Sequence, residues 1–88
     1  MKIKDTFQLV TVAGEHMVIP IGEQSVDFQA MITLNETGAF LWEKLQEEMS
    51  EEQLVCALTD VYEVGKEIAE GDVRKCLSIL RRKNILES

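Results

Sequence analysis

The chain has 88 residues, a hydrophobic fraction of 45% and a formal net charge of −7, with one proline and five glycines. This composition indicates one folded domain spanning residues 1–88 and excludes a disordered chain. The acidic balance disfavours binding to nucleic acid, because phosphate contacts supply most non-specific affinity. No apolar run approaches the ~20 residues that cross a bilayer, and no signal peptide is visible, so we expect a cytoplasmic protein without a membrane partner.

Two β-rich runs come first, at residues 7–12 and 16–21. The short connection between them contains Gly14, which is typical of a hairpin. Pro20 cannot donate to a ladder, so we place it at a strand end or on an edge.

The run at residues 28–34 alternates between apolar and polar side chains, which predicts a half-buried third strand. At Asn35 the apolar spacing becomes helical, and Asn35 is itself a good N-cap. We therefore predict that the strand passes directly into a helix over residues 35–48, with Gly38 in its first turn allowing a close approach. Trp42 falls on the apolar face of this helix.

Two further helices follow. Ser50 and Gln53 form a capping box that opens the second helix, and Gly65 is a candidate left-handed stop. The third helix is expected over about residues 67–83, with Asn84 ending it. The predicted core positions of the two helices are Leu54, Leu58, Val61, Val73, Leu77 and Leu80. The fold class is α+β: a three-stranded antiparallel N-terminal sheet followed by three helices, in a winged-helix-like arrangement.

Nothing in the sequence amounts to a catalytic or metal site. Cys56 and Cys76 lie outside any CxxC motif and are expected to be buried, reduced thiols. The single histidine, His16, has no nucleophile partner at a suggestive spacing, and we expect it at the surface. We therefore predict a protein that is not an enzyme and needs no cofactor.

The third strand lies at the edge of the predicted meander, where unpaired backbone can accept another chain. On a helical wheel of the third helix, Asp72, Cys76, Ile79 and Lys83 share one side, and Arg74 and Arg81 share the other. A helix beside a free edge forms a groove for an extended peptide. Two simpler interpretations stay open at this point: a wide core stripe that includes Ile79, and basic residues that only complement the helix C-terminus.

The run LNETGAFLWEKL at residues 34–45 resembles the core motif "LNxTGxxIWxLL" of the PqqD-like proteins, and the flanks agree from about residue 7 to residue 86. The resemblance implies a non-catalytic peptide chaperone, or RiPP recognition element. Such a domain binds the leader of a ribosomally made precursor and presents it to a modifying enzyme, often a radical SAM enzyme. The positions that the resemblance carries over as peptide contacts are Phe28, Gln29, Ala30, Met31, Ile32, Thr33, Asp72, Cys76, Ile79 and Lys83. The motif itself is expected to be structural.

Two further expectations follow from the pattern. The alternative function is a winged-helix DNA-binding or regulatory module that uses the basic residues of the third helix. The free edge also predicts a homodimer, in which the third strand or the hairpin pairs with a second copy, or strands exchange around residues 22–26.

Overall fold

The structure is a computed structural model that describes residues 1–21 and 32–87. These residues form five strands and three helices: β1 (Lys2–Ile3), β2 (Phe7–Val12), β3 (Glu15–Pro20), β4 (Ile32–Leu34), α1 (Glu36–Lys44), α2 (Glu51–Val61), α3 (Lys66–Arg82) and β5 (Leu86–Glu87). The α+β class and the antiparallel sheet followed by three helices are confirmed. No helix among the described residues is both long and apolar enough to span a bilayer.

The predicted hairpin is confirmed, and it closes through two residues. Ala13 and Gly14 have φ values of 53° and 81°, the left-handed values that a type I′ turn requires at both central positions. Val12 therefore pairs with Glu15 at the closed end, and Phe7 pairs with Pro20 at the open end. The second strand begins and ends one residue earlier than the sequence pattern suggested.

β4 completes a three-stranded sheet in the order β2-β3-β4. His16 lies opposite Leu34 and Val18 lies opposite Ile32, so the pairing is antiparallel. Leu34 and Val18 are buried on the face toward the helices. The predicted third strand is therefore confirmed for residues 32–34, while residues 28–31 lie outside the described residues.

The passage from β4 into α1 occurs at a single residue. Asn35 has extended backbone angles, and its side-chain Oδ1 accepts the N–H of Gly38 at 2.8 Å. A Cβ built on Gly38 would stand 3.2 Å from the Leu34 Cβ and 3.3 Å from the Asn35 Oδ1. The close neighbour of Gly38 is thus the end of β4 together with the capping side chain. Trp42 is buried on the inner face of α1.

α1 ends at Lys44, four residues before the predicted end. The carbonyl of Leu45 accepts the N–H of Ile3, and the N–H of Met49 donates to the carbonyl of Met1. A longer helix would join those two groups of Leu45 and Met49 to each other. The N-terminal segment therefore replaces the helical hydrogen bond and stops the helix.

A two-stranded ribbon of β1 and β5 is the element that the sequence pattern did not indicate. Ile3 pairs with Leu86, and the N–H of Lys4 donates to the carbonyl of Ile85 at 2.9 Å. Ile3, Ile85 and Leu86 are all buried. The two ends of the described chain are consequently joined beside the C-terminus of α1.

The capping box of α2 is confirmed, with reciprocal bonds between Ser50 and Gln53. Two expectations at the end of this helix are wrong. Val61 is 61% exposed, because it stands in the last turn, where the chain turns away at an extended Tyr62. Gly65 has a φ of −67° and is the N-cap of α3, so it is not a left-handed stop.

α3 ends at Arg82, one residue before the predicted end, and the predicted helix-ending residue Asn84 has a φ of 59°. The N–H of Asn84 donates to Arg81, and the N–H of Ile85 donates to Leu80. These are the two hydrogen bonds of a Schellman motif, which directs the chain back toward the core. The predicted stripe of Val73, Leu77 and Leu80 is buried.

The cap at Asn35 generates a test of the joint. Asn35→Ala removes the oxygen that satisfies the Gly38 N–H, so we expect the free energy of unfolding to fall by about 1 kcal/mol. Urea unfolding followed by circular dichroism measures this change. Asn35→Ser, which keeps a capping oxygen, is the matched control. An Ala variant as stable as the Ser variant would show that the cap contributes nothing.

Candidate functional site

The outer edge of β4 has backbone groups that point away from the sheet. The type I′ turn makes Val12 and Glu15 a hydrogen-bonded pair, and the bonding direction then alternates along β3. His16 and Val18 therefore direct their backbone groups toward β4 and bond its Leu34 and Ile32. The N–H and C=O of Thr33, between these two, face outward.

A small cavity lies between this edge and α3. Its volume is about 120 Å³. The residues around it come from the end of β4, the N-terminus of α1 and the middle of α3: Thr33, Leu34, Asn35, Thr37, Gly38, Asp72, Lys75, Cys76 and Ile79. The predicted edge and the predicted helix face are thus brought together.

Burial separates the two interpretations of the helix face. Cys76 is only 8% exposed and belongs to the core cluster, whereas Ile79 is 36% exposed. The core stripe of α3 is therefore wide enough to include Cys76 and stops short of Ile79. Ile79 is an apolar side chain directed into the space beside β4.

The structure places the remaining predicted residues differently. Lys83 is the C-cap of α3 and lies outside the lining of the cavity. Lys75 takes part instead, and it differs from Ile79 by about 40° on the helix. Ile32 is half-buried and bonds β3, so of the two predicted strand residues that the structure describes, Thr33 is the one whose backbone groups face outward beside the cavity. Residues 28–31 are outside the described part.

A second exposed isoleucine on α3 was missed by sequence reasoning. Ile68 is 61% exposed and lies three turns before Ile79, within about 20° of the same helical direction. The two side chains are separated by about 16 Å along the axis. The sequence signal that could have revealed Ile68 was its spacing of eleven residues from Ile79, because this spacing places both side chains on nearly the same side of α3 as Asp72 and Lys75.

The charged residues of α3 divide between two sides. Arg74 reaches Glu51 of α2 at 3.6 Å and Glu70 at 3.8 Å, so it bridges α2 and α3. A larger cavity of about 430 Å³ lies there, lined by charged residues together with Val55 and Cys56. Asp72 and Lys75 lie on the β4 side, where they give the small cavity one charge of each sign.

The described residues offer no group of three potential metal ligands. His16 is half-buried and its Nδ1 lies 2.8 Å from the Thr11 hydroxyl, across the hairpin. The two cysteines differ from expectation, since Cys56 is exposed and only Cys76 is buried. Within residues 1–21 and 32–87, no strand pairs with the outer edge of β4, and this edge lies beside α3, an arrangement suited to binding an extended chain.

Comparison with known proteins gives two matches. Residues 14–86 match the family model described as coenzyme PQQ synthesis protein D (PqqD). The fold is similar to the solved structure of TbiB1 in complex with the TbiA(beta) leader peptide, with a TM-score of 0.75 and 26% sequence identity. That similarity covers 100% of this chain and 96% of the other. The search of curated proteins finds no match.

The two cysteines allow a direct test of the cavity wall. Burial raises the pKa of the Cys76 thiol from 9.0 to about 11. Because the thiolate is the nucleophile, we expect iodoacetamide at about pH 8 to alkylate Cys56 rapidly and Cys76 very slowly. Mass spectrometry of the peptides measures both rates, and urea should equalise them. Equal rates in the native protein would place Cys76 at the surface.

The same burial has a pH consequence with a definite sign. The folded pKa of Cys76 lies above the unfolded value, so its contribution to stability is present below about pH 9 and is lost between about pH 9 and 11. We expect Cys76→Ala to remove this part of the alkaline decrease in stability, while Cys56→Ala leaves it unchanged. Urea titrations across that pH range compare the two variants.

Proposed function

We propose, from the premise that this chain belongs to the coenzyme PQQ synthesis protein D (PqqD) family, that it binds the leader of a ribosomally synthesised precursor peptide. The solved TbiB1 structure holds a leader peptide, and its fold matches this chain over its whole length. The leader then adds as a strand to the outer edge of β4 and lies against α3.

The observation that carries this proposal is that the outer β4 edge, which is unpaired in the part of the chain that the structure describes, meets Ile79 across a cavity. Thr33 offers an outward N–H and C=O, which an extended peptide can bond in the manner of a sheet strand. Ile79 supplies an apolar contact that the core does not use. The proposal is supported by the proximity of these two features, an outward-facing strand edge and an apolar side chain on α3.

We expect selectivity for particular side chains of the leader to come from the residues of α3 that line the cavity. Backbone bonds to Thr33 are independent of the leader sequence, whereas contacts to α3 are not. Ile79 favours an apolar leader residue, and Asp72 and Lys75 favour neighbours of opposite charge. We propose Thr33, Asp72, Lys75, Cys76 and Ile79 as the contact set. Two groups from the sequence prediction, residues 28–32 and Lys83, are retained as flanking positions.

The wider role that we propose is presentation without catalysis, in the single domain of residues 1–88. The bound leader holds the precursor for a modifying enzyme, a radical SAM enzyme or another maturase, in the cytoplasm. The DNA-binding alternative gains no support from the arrangement of α3. Arg74 is engaged with Glu51 and Glu70, and Lys75 lines the small cavity beside Asp72, so both cations have acidic neighbours.

A proline at the β4 edge tests the backbone part of this mode. Thr33→Pro removes an outward N–H and leaves the bonds between β4 and β3 in place, so the fold should persist. Loss of one hydrogen bond and the bulk of the ring should weaken leader binding by at least about tenfold. Fluorescence anisotropy measures the affinity, using a labelled leader peptide chosen because the wild-type protein binds it.

Two controls accompany that measurement. Thr33→Val keeps the backbone donor and should bind nearly as well as the wild type. Ile32→Pro removes a bond to β3 and should lower the free energy of unfolding itself. Wild-type affinity in Thr33→Pro would rule out strand addition at this edge.

A charge on the α3 wall tests the side-chain part. Ile79→Glu places a carboxylate where an apolar contact is proposed. We therefore expect the dissociation constant for the leader to rise by at least about tenfold. Ser78→Glu is the matched control, because it adds the same charge in the same turn at an exposed position outside the cavity. Equal affinities of the two variants would remove α3 from the site.

A further inference from the structure

β2 forms the other edge of the sheet, opposite the proposed leader site. Its six residues, FQLVTV, contain no charge and no proline, the devices that normally protect an edge from association. The alternation set by the turn directs the backbone groups of Leu9 and Thr11 outward. Among the described residues these groups have no backbone partner, whereas the N–H of Phe7 donates to Lys4.

We propose that β2 is a self-association surface and pairs antiparallel with β2 of a second copy. A two-fold axis at Val10, midway between Leu9 and Thr11, places Leu9 of each copy opposite Thr11 of the other copy. Leu9 then exchanges both backbone bonds with Thr11 of the partner copy, and the symmetric pair does the same. Four hydrogen bonds satisfy all four free groups and leave the Phe7 bond intact.

The side chains fit the same register. Val10 lies on the two-fold axis and faces its own counterpart in a non-hydrogen-bonded pair, where β-branched side chains approach closely. Val12, which is 59% exposed, lies opposite Gln8 of the second copy. An alternative register would place Leu9 on the two-fold axis. That register would require the N–H of Phe7 for pairing, but this N–H already donates to the carbonyl of Lys4. The edge is therefore complementary to itself in one arrangement.

The size and charge of the surface predict how strong the association is. One strand of six residues buries less than the ~800 Å² per partner of a standard interface, so the dissociation constant should be on the order of 0.1 mM. Each copy carries a net charge of −7, while β2 itself is neutral. Salt screens the mutual repulsion, so association should strengthen as salt rises.

This inference goes beyond leader binding, since it uses the opposite edge of the sheet. The two copies would form a continuous sheet of six strands with β4 at each outer end. Each β4 edge stays open, so a dimer would present two leader sites facing away from each other. Self-association and leader binding can consequently be tested separately.

Sedimentation equilibrium of the full chain, from about 10 µM to about 1 mM, provides the first test. We expect a monomer–dimer equilibrium that shifts toward dimer at higher salt. Val10→Lys places like charges opposite each other and should abolish the dimer. Met17→Lys is the matched control: it makes the same charge change on the same face of the central strand, and it should still dimerise.

The outcomes separate the alternatives. A wild-type monomer throughout the range overturns the proposal, as does a dimer that Val10→Lys leaves unchanged. A dimer that Thr33→Pro abolishes lies at β4 and also overturns it. Leader affinity of Val10→Lys should equal that of the wild type, so failure of this proposal would not be mistaken for failure of leader binding.

Disulfide trapping tests the register without relying on a destabilised interface. In a Cys56→Ser background, Val10→Cys should oxidise to a covalent dimer, because a non-hydrogen-bonded pair at ~4.5 Å between Cα atoms suits a disulfide. Gln8→Cys, on the same face of the same strand, should crosslink with itself at least about tenfold more slowly. A mixture of Gln8→Cys and Val12→Cys should form the mixed dimer. Equal rates of self-crosslinking would contradict the register.

Discussion

The hydrogen bond from the Gly38 N–H to the Asn35 Oδ1 fixes the geometry on which the candidate site depends. It ends β4 and starts α1 at one residue, so the strand has no loop in which to change direction. Leu34 is consequently held between the sheet and the helix, and the absence of a Cβ at Gly38 leaves room for it. The floor of the cavity beside α3 is made from this same joint.

α3 serves two surfaces at once because its faces are angularly separate. Val73, Leu77 and Leu80 fill the core, and Arg74 bridges to α2 on one flank. On the other flank, burial decreases from Cys76 to Ile79 within a single turn. A substitution at Cys76 therefore acts on the core as well as on the cavity, whereas one at Ile79 acts on the cavity with little cost to stability.

Local sequence rules predicted most of the local features of this fold, apart from the end of α2, where Val61 is exposed and Gly65 caps α3. The capping residues Asn35 and Ser50, the helix-ending Asn84 and the Gly14 turn each act through neighbours within a few residues. The features that the sequence did not reveal depend on distant parts of the chain. α1 stops early because Ile3 occupies the Leu45 carbonyl, and a ribbon of two residues per strand is too short to show a period.

The sequence predicted the residues that line the cavity only in outline, because the lining also depends on packing between distant parts of the chain. A helical wheel places Asp72, Cys76 and Ile79 on one side, but only packing decides which of them is buried. The wheel also contained Lys75 and Ile68 at suitable angles, and they were missed because neither extends an apolar stripe of regular spacing. Residues 28–31 lie outside the described part, so their predicted contacts stay predictions.

The residues that identify the family are distinct from those proposed to hold a peptide. Asn35 caps α1, Gly38 makes room for Leu34, and Trp42 is buried in the core, so the motif maintains the joint. In the proposed mode the strand edge binds through backbone atoms that any residue at position 33 except proline would supply. Sequence can therefore vary along β4 without loss of the edge, and the choice of peptide falls to the outer flank of α3.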